Sequence, residues 1–146
     1  MKKTIFVLCC VAMMSFVGWQ PSFEKAKQVA KEQHRLILVN FSGSDWCGPC
    51  IRMRKEIFDN ENFSAMADTL LVMVNADFPR NKKNQLEKTV QVQNNMLADK
   101  YNPEGKFPLT VLLDPNGGII KSWDGLPKEN AIAFAAEIKA IANARR

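Results

Sequence analysis

The sequence predicts an α/β domain built on a central mixed sheet of four to five strands, with helices on both faces. Three observations predict it. Two apolar runs, Leu36-Ile37-Leu38-Val39-Asn40-Phe41 and Leu70-Leu71-Val72-Met73-Val74-Asn75-Ala76, each interrupted once by Asn, read as strands buried on both faces. The stretch between them is long enough, and helical enough, for a parallel crossover. Later, Asp114-Pro115-Asn116-Gly117-Gly118 is a turn between two further strand-like runs, an antiparallel hairpin. The chain has 146 residues, the size of one domain, and is 47% hydrophobic and 24% charged, enough to bury one core without disulfide staples.

Residues 1–20 stand apart. Met1-Lys2-Lys3 is a short basic start, and Thr4 to Trp19 carries no charge. This is the pattern of a secretory leader, and the run is shorter than the roughly 20 apolar residues of a membrane span. No small-x-small triplet precedes Gln20, so a cleaved signal and an uncleaved N-terminal anchor both stay open. A lipid anchor on Cys9 or Cys10 is not expected, because the apolar run before them is short and Phe6 or Val7 sits where a lipobox prefers Leu. The chain is thus expected to be exported, with residues 21–146 as its domain.

Within that domain, Ser22 is a plausible N-cap, and Phe23, Ala26, Val29 and Ala30 recur at helical spacing up to about Gln33. His34 falls at this helix end, solvated and capping. The first strand, Leu36 to Phe41, is followed by a Ser42–Asp45 turn. A helix from about Pro49 to Phe58 carries Ile51, Met53, Ile57 and Phe58. Asp59-Asn60-Glu61-Asn62 breaks it, and a short helix follows over about Glu61 to Asp68. After the second strand, Phe78 to Asn84 is a basic loop with Pro79, Arg80, Lys82 and Lys83, read as surface. Leu86, Val90, Leu97 and Tyr101 mark a helix of about four turns, ended by Asn102-Pro103-Glu104-Gly105. Leu109 to Leu113 and Ile119 to Trp123 form the hairpin, and Ala131, Phe134, Ala135, Ile138, Ile141 and Ala142 define a closing amphipathic helix. Trp123 and Tyr101 read as core.

The net charge is +5, or +3 once Lys2 and Lys3 of the leader are set aside. No basic stripe with interleaved aromatics accompanies it, so nucleic acid is not an expected partner. The chemistry lies in Trp46-Cys47-Gly48-Pro49-Cys50, between the first strand and the helix after it. A thiol at a helix N-terminus faces unpaired N–H groups and the positive end of the helix dipole, and both stabilise a thiolate. Cys50 lies about one turn on, close enough to close a disulfide. Loss of the leader removes Cys9 and Cys10 and leaves this pair alone in an oxidising compartment, as a small structural loop or as a catalytic pair. So short a loop constrains the unfolded chain little, which favours catalysis. Zinc is disfavoured: there is no second cysteine pair, and His34 is the single histidine. Arg52, Arg54 and Lys55 either raise the local positive potential or form a solvated helix face.

The order of elements, with Trp-Cys-Gly-Pro-Cys after the first buried strand, resembles the thioredoxin fold. Leu97-Ala98-Asp99-Lys100-Tyr101 followed by Phe107-Pro108, and Asp114-Pro115-Asn116-Gly117 before a strand, are similar to two further stretches of that family. Phe41 to Cys47 looks more like its exported bacterial members than cytosolic thioredoxin. The resemblance implies that Cys47 is the attacking thiol and Cys50 the resolving thiol. It makes Trp46, Gly48 and Pro49 the walls of the site, and Phe107-Pro108 a cis peptide that offers backbone groups to an extended substrate.

Three departures are visible. The family's buried acid beneath the cysteines falls on Asn40, and its companion lysine on Met73, so proton transfer for Cys50 would use water, Asp45 or Glu56. Leu109 stands where thioredoxin has Thr, which suggests a more apolar groove. The function implied is a monomeric, periplasmic thiol–disulfide oxidoreductase, free or tethered by its leader. It would act on protein disulfides or thiols as a reductant recharged by a membrane electron donor or thiol–disulfide partner protein. No metal and no cofactor beyond the redox-active pair are implied. Two alternatives remain: a peptide-binding or chaperone-like module with little turnover, and a reductant of apocytochrome thiols in cytochrome c maturation.

Overall fold

The computed structural model describes residues 18–145. The leader proper, with Cys9 and Cys10, lies outside the described residues. Helix α1 (Phe23–Gln33) starts at Ser22, whose Oγ accepts the Lys25 N–H at 3.3 Å, and buries Phe23, Ala26 and Ala30. It stops at His34, which is in the left-handed conformation (φ 53°) and returns its N–H to the Ala30 carbonyl. Strand β1 (Leu36–Ser42) is buried almost throughout. Helix α2 (Gly48–Met53) follows, then α3 (Glu61–Leu70) and β2 (Leu71–Asp77). A single tight turn at Lys82–Asn84 leads to α4 (Lys88–Tyr101), and the chain closes with β3 (Leu109–Leu113), β4 (Ile119–Asp124) and α5 (Ala131–Asn143).

The four strands form one sheet in the order β2-β1-β3-β4. Strand β1 runs parallel to β2 and antiparallel to β3, which pairs with β4 through the expected hairpin. Gly117, at φ 91°, supplies the turn conformation that a side chain disfavours. Alternation along β1 divides the core in two. Ile37, Val39 and Phe41 pack with α1 and α4, including Leu97 and Tyr101. Leu38 packs on the other face with Met53, Phe63, Phe134 and Ile138 from the α2, α3 and α5 side.

Two expectations need correction. The helix expected to run unbroken from Pro49 to Phe58 changes winding at Arg54–Phe58, a π turn in which the Asp59 N–H reaches the Arg54 carbonyl (2.9 Å). This turn carries Ile57 and Phe58 into the core against Phe63. Trp19 and Gln20, grouped with the leader on composition, are packed on the domain. Trp19 meets Phe58 edge-on at 5.2 Å, and Gln20 donates its N–H to the Met73 carbonyl (2.7 Å). Leu109 is buried in the core on the α1 and α4 face.

Candidate active site

The end of β1 delivers the chain into a turn that Gly43 makes possible. A Cβ on Gly43 would fall 2.2 Å from Cε2 of Trp46, so the indole lies directly on the Gly43 backbone. Cys47 is extended (φ −96°, ψ 99°) and caps α2, and its Sγ accepts the Cys50 N–H at 3.3 Å. Pro49 stands in the first turn of α2, where the missing N–H costs nothing. Cys47 and Cys50 are joined in a disulfide with Cα atoms 5.2 Å apart. They are 5% and 3% exposed, while Gly48, Pro49 and Ile51 stand out to solvent. The cap geometry that a thiolate needs is therefore already present in the oxidised pair.

An aromatic cluster borders the pair. The Trp46 Nε1–H donates to the Phe78 carbonyl (2.8 Å), and the Trp46 and Phe107 rings meet edge-on at 5.4 Å. The Phe78 and Phe107 rings also meet edge-on, at 5.6 Å. The Phe107–Pro108 peptide is cis, and Pro108 is buried at the start of β3. Trp46, the neighbour of Cys47 in sequence, thus packs on Phe107, the residue before Pro108.

Beneath α2 lies a buried polar rung. Asn40 is 5% exposed and Thr110 fully buried. The Asn40 amide donates to Asn75 Oδ1 (3.1 Å), and the Thr110 hydroxyl lies 3.4 Å from Asn40 Oδ1 and 3.8 Å from Met53 Sδ. The strand register explains the rung: Asn40 stands opposite Asn75 on β2 and opposite Thr110 on β3. Met73, assigned as the companion position, pairs with Leu38 instead. The family resemblance does not point to Asn75 or Thr110; the signal for the first is an Asn in each of the two apolar runs.

The two acids considered for proton transfer are engaged elsewhere. Asp45 accepts from the Arg80 N–H (2.9 Å), the Asn81 N–H (2.8 Å) and the Asn84 amide (3.0 Å). The Arg80 N–H and the Asn84 amide hold its carboxyl below the ordinary carboxylate range. Glu56 receives two hydrogen bonds from Arg52 (3.0 and 3.2 Å), which lower its carboxyl and raise the Arg52 guanidinium. Arg54 pairs with Asp59 at 2.8 Å. Among the described residues no cluster of His, Cys, Asp and Glu could hold a metal ion, and no helix is long and apolar enough to cross a membrane.

A family model described as Thioredoxin-like matches residues 18–115. The disulfide bond reductase DsbH of Chlamydia pneumoniae is 31% identical over 127 residues, covering 87% of this chain and 74% of that protein. The thioredoxin-related protein DsbJ of the same organism is 33% identical over 97 residues, which is 66% of this chain but 27% of DsbJ. Among solved structures, a DsbH oxidoreductase matches with a TM-score of 0.78 at 28% identity, covering 86% of this chain and 84% of that one. A thioredoxin from Thermus thermophilus matches at 0.62 with 18% identity, over 84% of this chain and 85% of its own, and shows the fold alone.

Proposed function

This chain belongs to the thioredoxin-like family, and from that premise we propose that it is a thiol–disulfide oxidoreductase that reduces protein disulfides outside the cytoplasm. The observation that carries the reading is the Cys47–Cys50 pair at the start of α2, with the Cys50 N–H on Cys47 Sγ. In the reduced protein the same N–H would hydrogen-bond the Cys47 thiolate and favour it. The thiolate attacks a substrate disulfide, forming a mixed disulfide and releasing one substrate thiolate. Cys50 then attacks Cys47 Sγ, the second substrate thiolate leaves, and Cys47–Cys50 closes. Two electrons pass to the substrate. The cysteine pair needs no other cofactor, so the electrons return through a thiol–disulfide partner protein.

The resemblance to a named disulfide bond reductase supports the reducing direction. The uncharged N-terminal stretch supports export to the periplasm, with or without cleavage. Trp46, Phe107 and Pro108 would form the surface on which an extended substrate lies.

Equilibration of the full chain against glutathione tests the direction. A potential close to thioredoxin's, about −270 mV, is expected; one near about −120 mV would make the protein a disulfide donor. The Cys47→Ser, Cys50→Ser variant tests the chemistry, since it should lose all insulin-type reductase activity. A cellular effect that survives without both thiols would leave a peptide-binding module as the better account.

A further inference from the structure

We propose that Arg80 is a specificity-determining residue, a carboxylate receptor that selects substrate peptides bearing Asp or Glu beside their cysteine. The Phe78–Asn84 segment has the composition of a solvated loop, yet it lies against the cysteine motif. The Arg80 guanidinium sits 3.8 Å from the ring centroid of Trp46, the residue directly before Cys47. That indole is itself held by the Gly43 backbone, the Phe78 carbonyl and the Phe107 ring. The Arg80 backbone is held separately, because Asp45 accepts its N–H together with those of Asn81 and the Asn84 side chain. An exposed arginine is therefore fixed at both ends.

The guanidinium is also unspent. Among the described residues it donates no side-chain hydrogen bond and joins no ion pair, whereas Arg52 and Arg54 are committed to Glu56 and Asp59. Asp45 takes the Arg80 backbone and leaves its head group alone. A guanidinium stacked on an aromatic face keeps its in-plane N–H donors free, in the fork that matches a carboxylate. Lys82 and Lys83 follow on one exposed turn, also without ion pairs among the described residues. The carboxylates at the base of the segment, Asp45 and Asp77, already accept from uncharged donors, Asp77 from the Ser44 N–H and hydroxyl. Charge complementarity thus points to an acidic side chain on the peptide crossing Phe107-Pro108.

This inference rests on the reductase reading, and the test separates the two. Peptide disulfides identical except for Glu, Gln or Lys beside the cysteine are compared by kcat/KM. The Glu peptide is expected to lead its Gln twin by about three- to tenfold at low salt, and by less at high salt. Arg80→Gln should bring the ratio to about one. Arg80→Lys keeps the charge but loses the fork, so it should lose most of the preference. Equal wild-type rates, a preference that survives Arg80→Gln, or full preference in Arg80→Lys would each overturn the assignment. Serine-for-cysteine versions of the peptides, titrated against the full chain by tryptophan fluorescence, should rank in the same order without turnover. Failure to reduce any disulfide, a small neutral one included, sinks the reductase reading; equal affinities for the serine peptides sink this one.

Discussion

Asn40 occupies a position where an ionisable group would change the chemistry without rebuilding the core. It lies 5% exposed on β1, bonded sideways to Asn75, with the Thr110 hydroxyl near its oxygen. An amide does not titrate, so Asn40 itself offers no proton acceptor for Cys50. Asn40→Asp would place a carboxyl of similar size there, with the Thr110 hydroxyl and a turned Asn75 amide as donors. Turnover of a small disulfide should rise, on the order of tenfold where proton transfer limits the resolving step. Equal or lower turnover would remove Asn40 from that role. The substitution also has a stability signature. Burial raises the pKa of the new carboxyl above its unfolded value, so the folded state holds the proton more tightly. Its stability is therefore greatest below the unfolded pKa and falls as pH rises through the folded one. Thermal unfolding should show Asn40→Asp close to wild type near pH 4 and lower by pH 8, a loss of about 1–3 kcal/mol.

At the level of elements, the turn after β1 and the segment after β2 are fastened to each other by two carboxylates. Asp77 accepts from the Ser44 N–H and hydroxyl, and Asp45 accepts from Arg80, Asn81 and Asn84. The Arg80 and Asn84 donors depress the Asp45 carboxyl, so its contribution is present above the unfolded pKa and is lost as pH falls through the lower folded one. Asp45→Ala should therefore differ from wild type by a constant margin at neutral pH, and the difference should close below about pH 4. Hydrogen exchange at the Arg80 and Asn81 amides should quicken in the variant; unchanged exchange would mean that Asp45 does not hold the segment. This clasp was not legible in the sequence. Strands β1, β2 and β3 were, because predominantly apolar runs such as Leu109–Leu113, with one polar residue, have few other solutions in a domain this size. Helix α1 was legible from Ser22 and its spacing. The Phe78–Asn84 segment was read as surface because its charges are exposed, while what anchors it is backbone N–H groups and one carbonyl, which composition does not report. The π turn at Arg54–Phe58 was hidden because the spacing of Ile57 and Phe58, both buried, fits an ordinary helix equally well.

For the whole molecule, the direction of electron flow is tied to folding stability. The Cys47–Cys50 disulfide spans a sequence separation of 3, so closing it restricts the unfolded chain very little. Any difference in stability between the oxidised and reduced chains must then come mainly from how the folded surroundings treat the two sulfurs. Two influences oppose. The Cys50 N–H on Cys47 Sγ favours a thiolate, and hence the reduced form. Burial of both sulfurs, with an uncharged Asn40 on the strand that leads to them, penalises a thiolate and favours the neutral disulfide. In a reductant the second influence wins. The thermodynamic cycle then requires the oxidised chain to be the more stable, by about 1.4 kcal/mol for each 30 mV by which the folded pair is more reducing than the same pair in the unfolded chain. Urea unfolding followed by circular dichroism, with the chain held oxidised and then reduced, should give the higher midpoint to the oxidised form at an unchanged slope. A higher midpoint for the reduced form would mean that the fold favours its thiols, and the protein would then be a donor of disulfides.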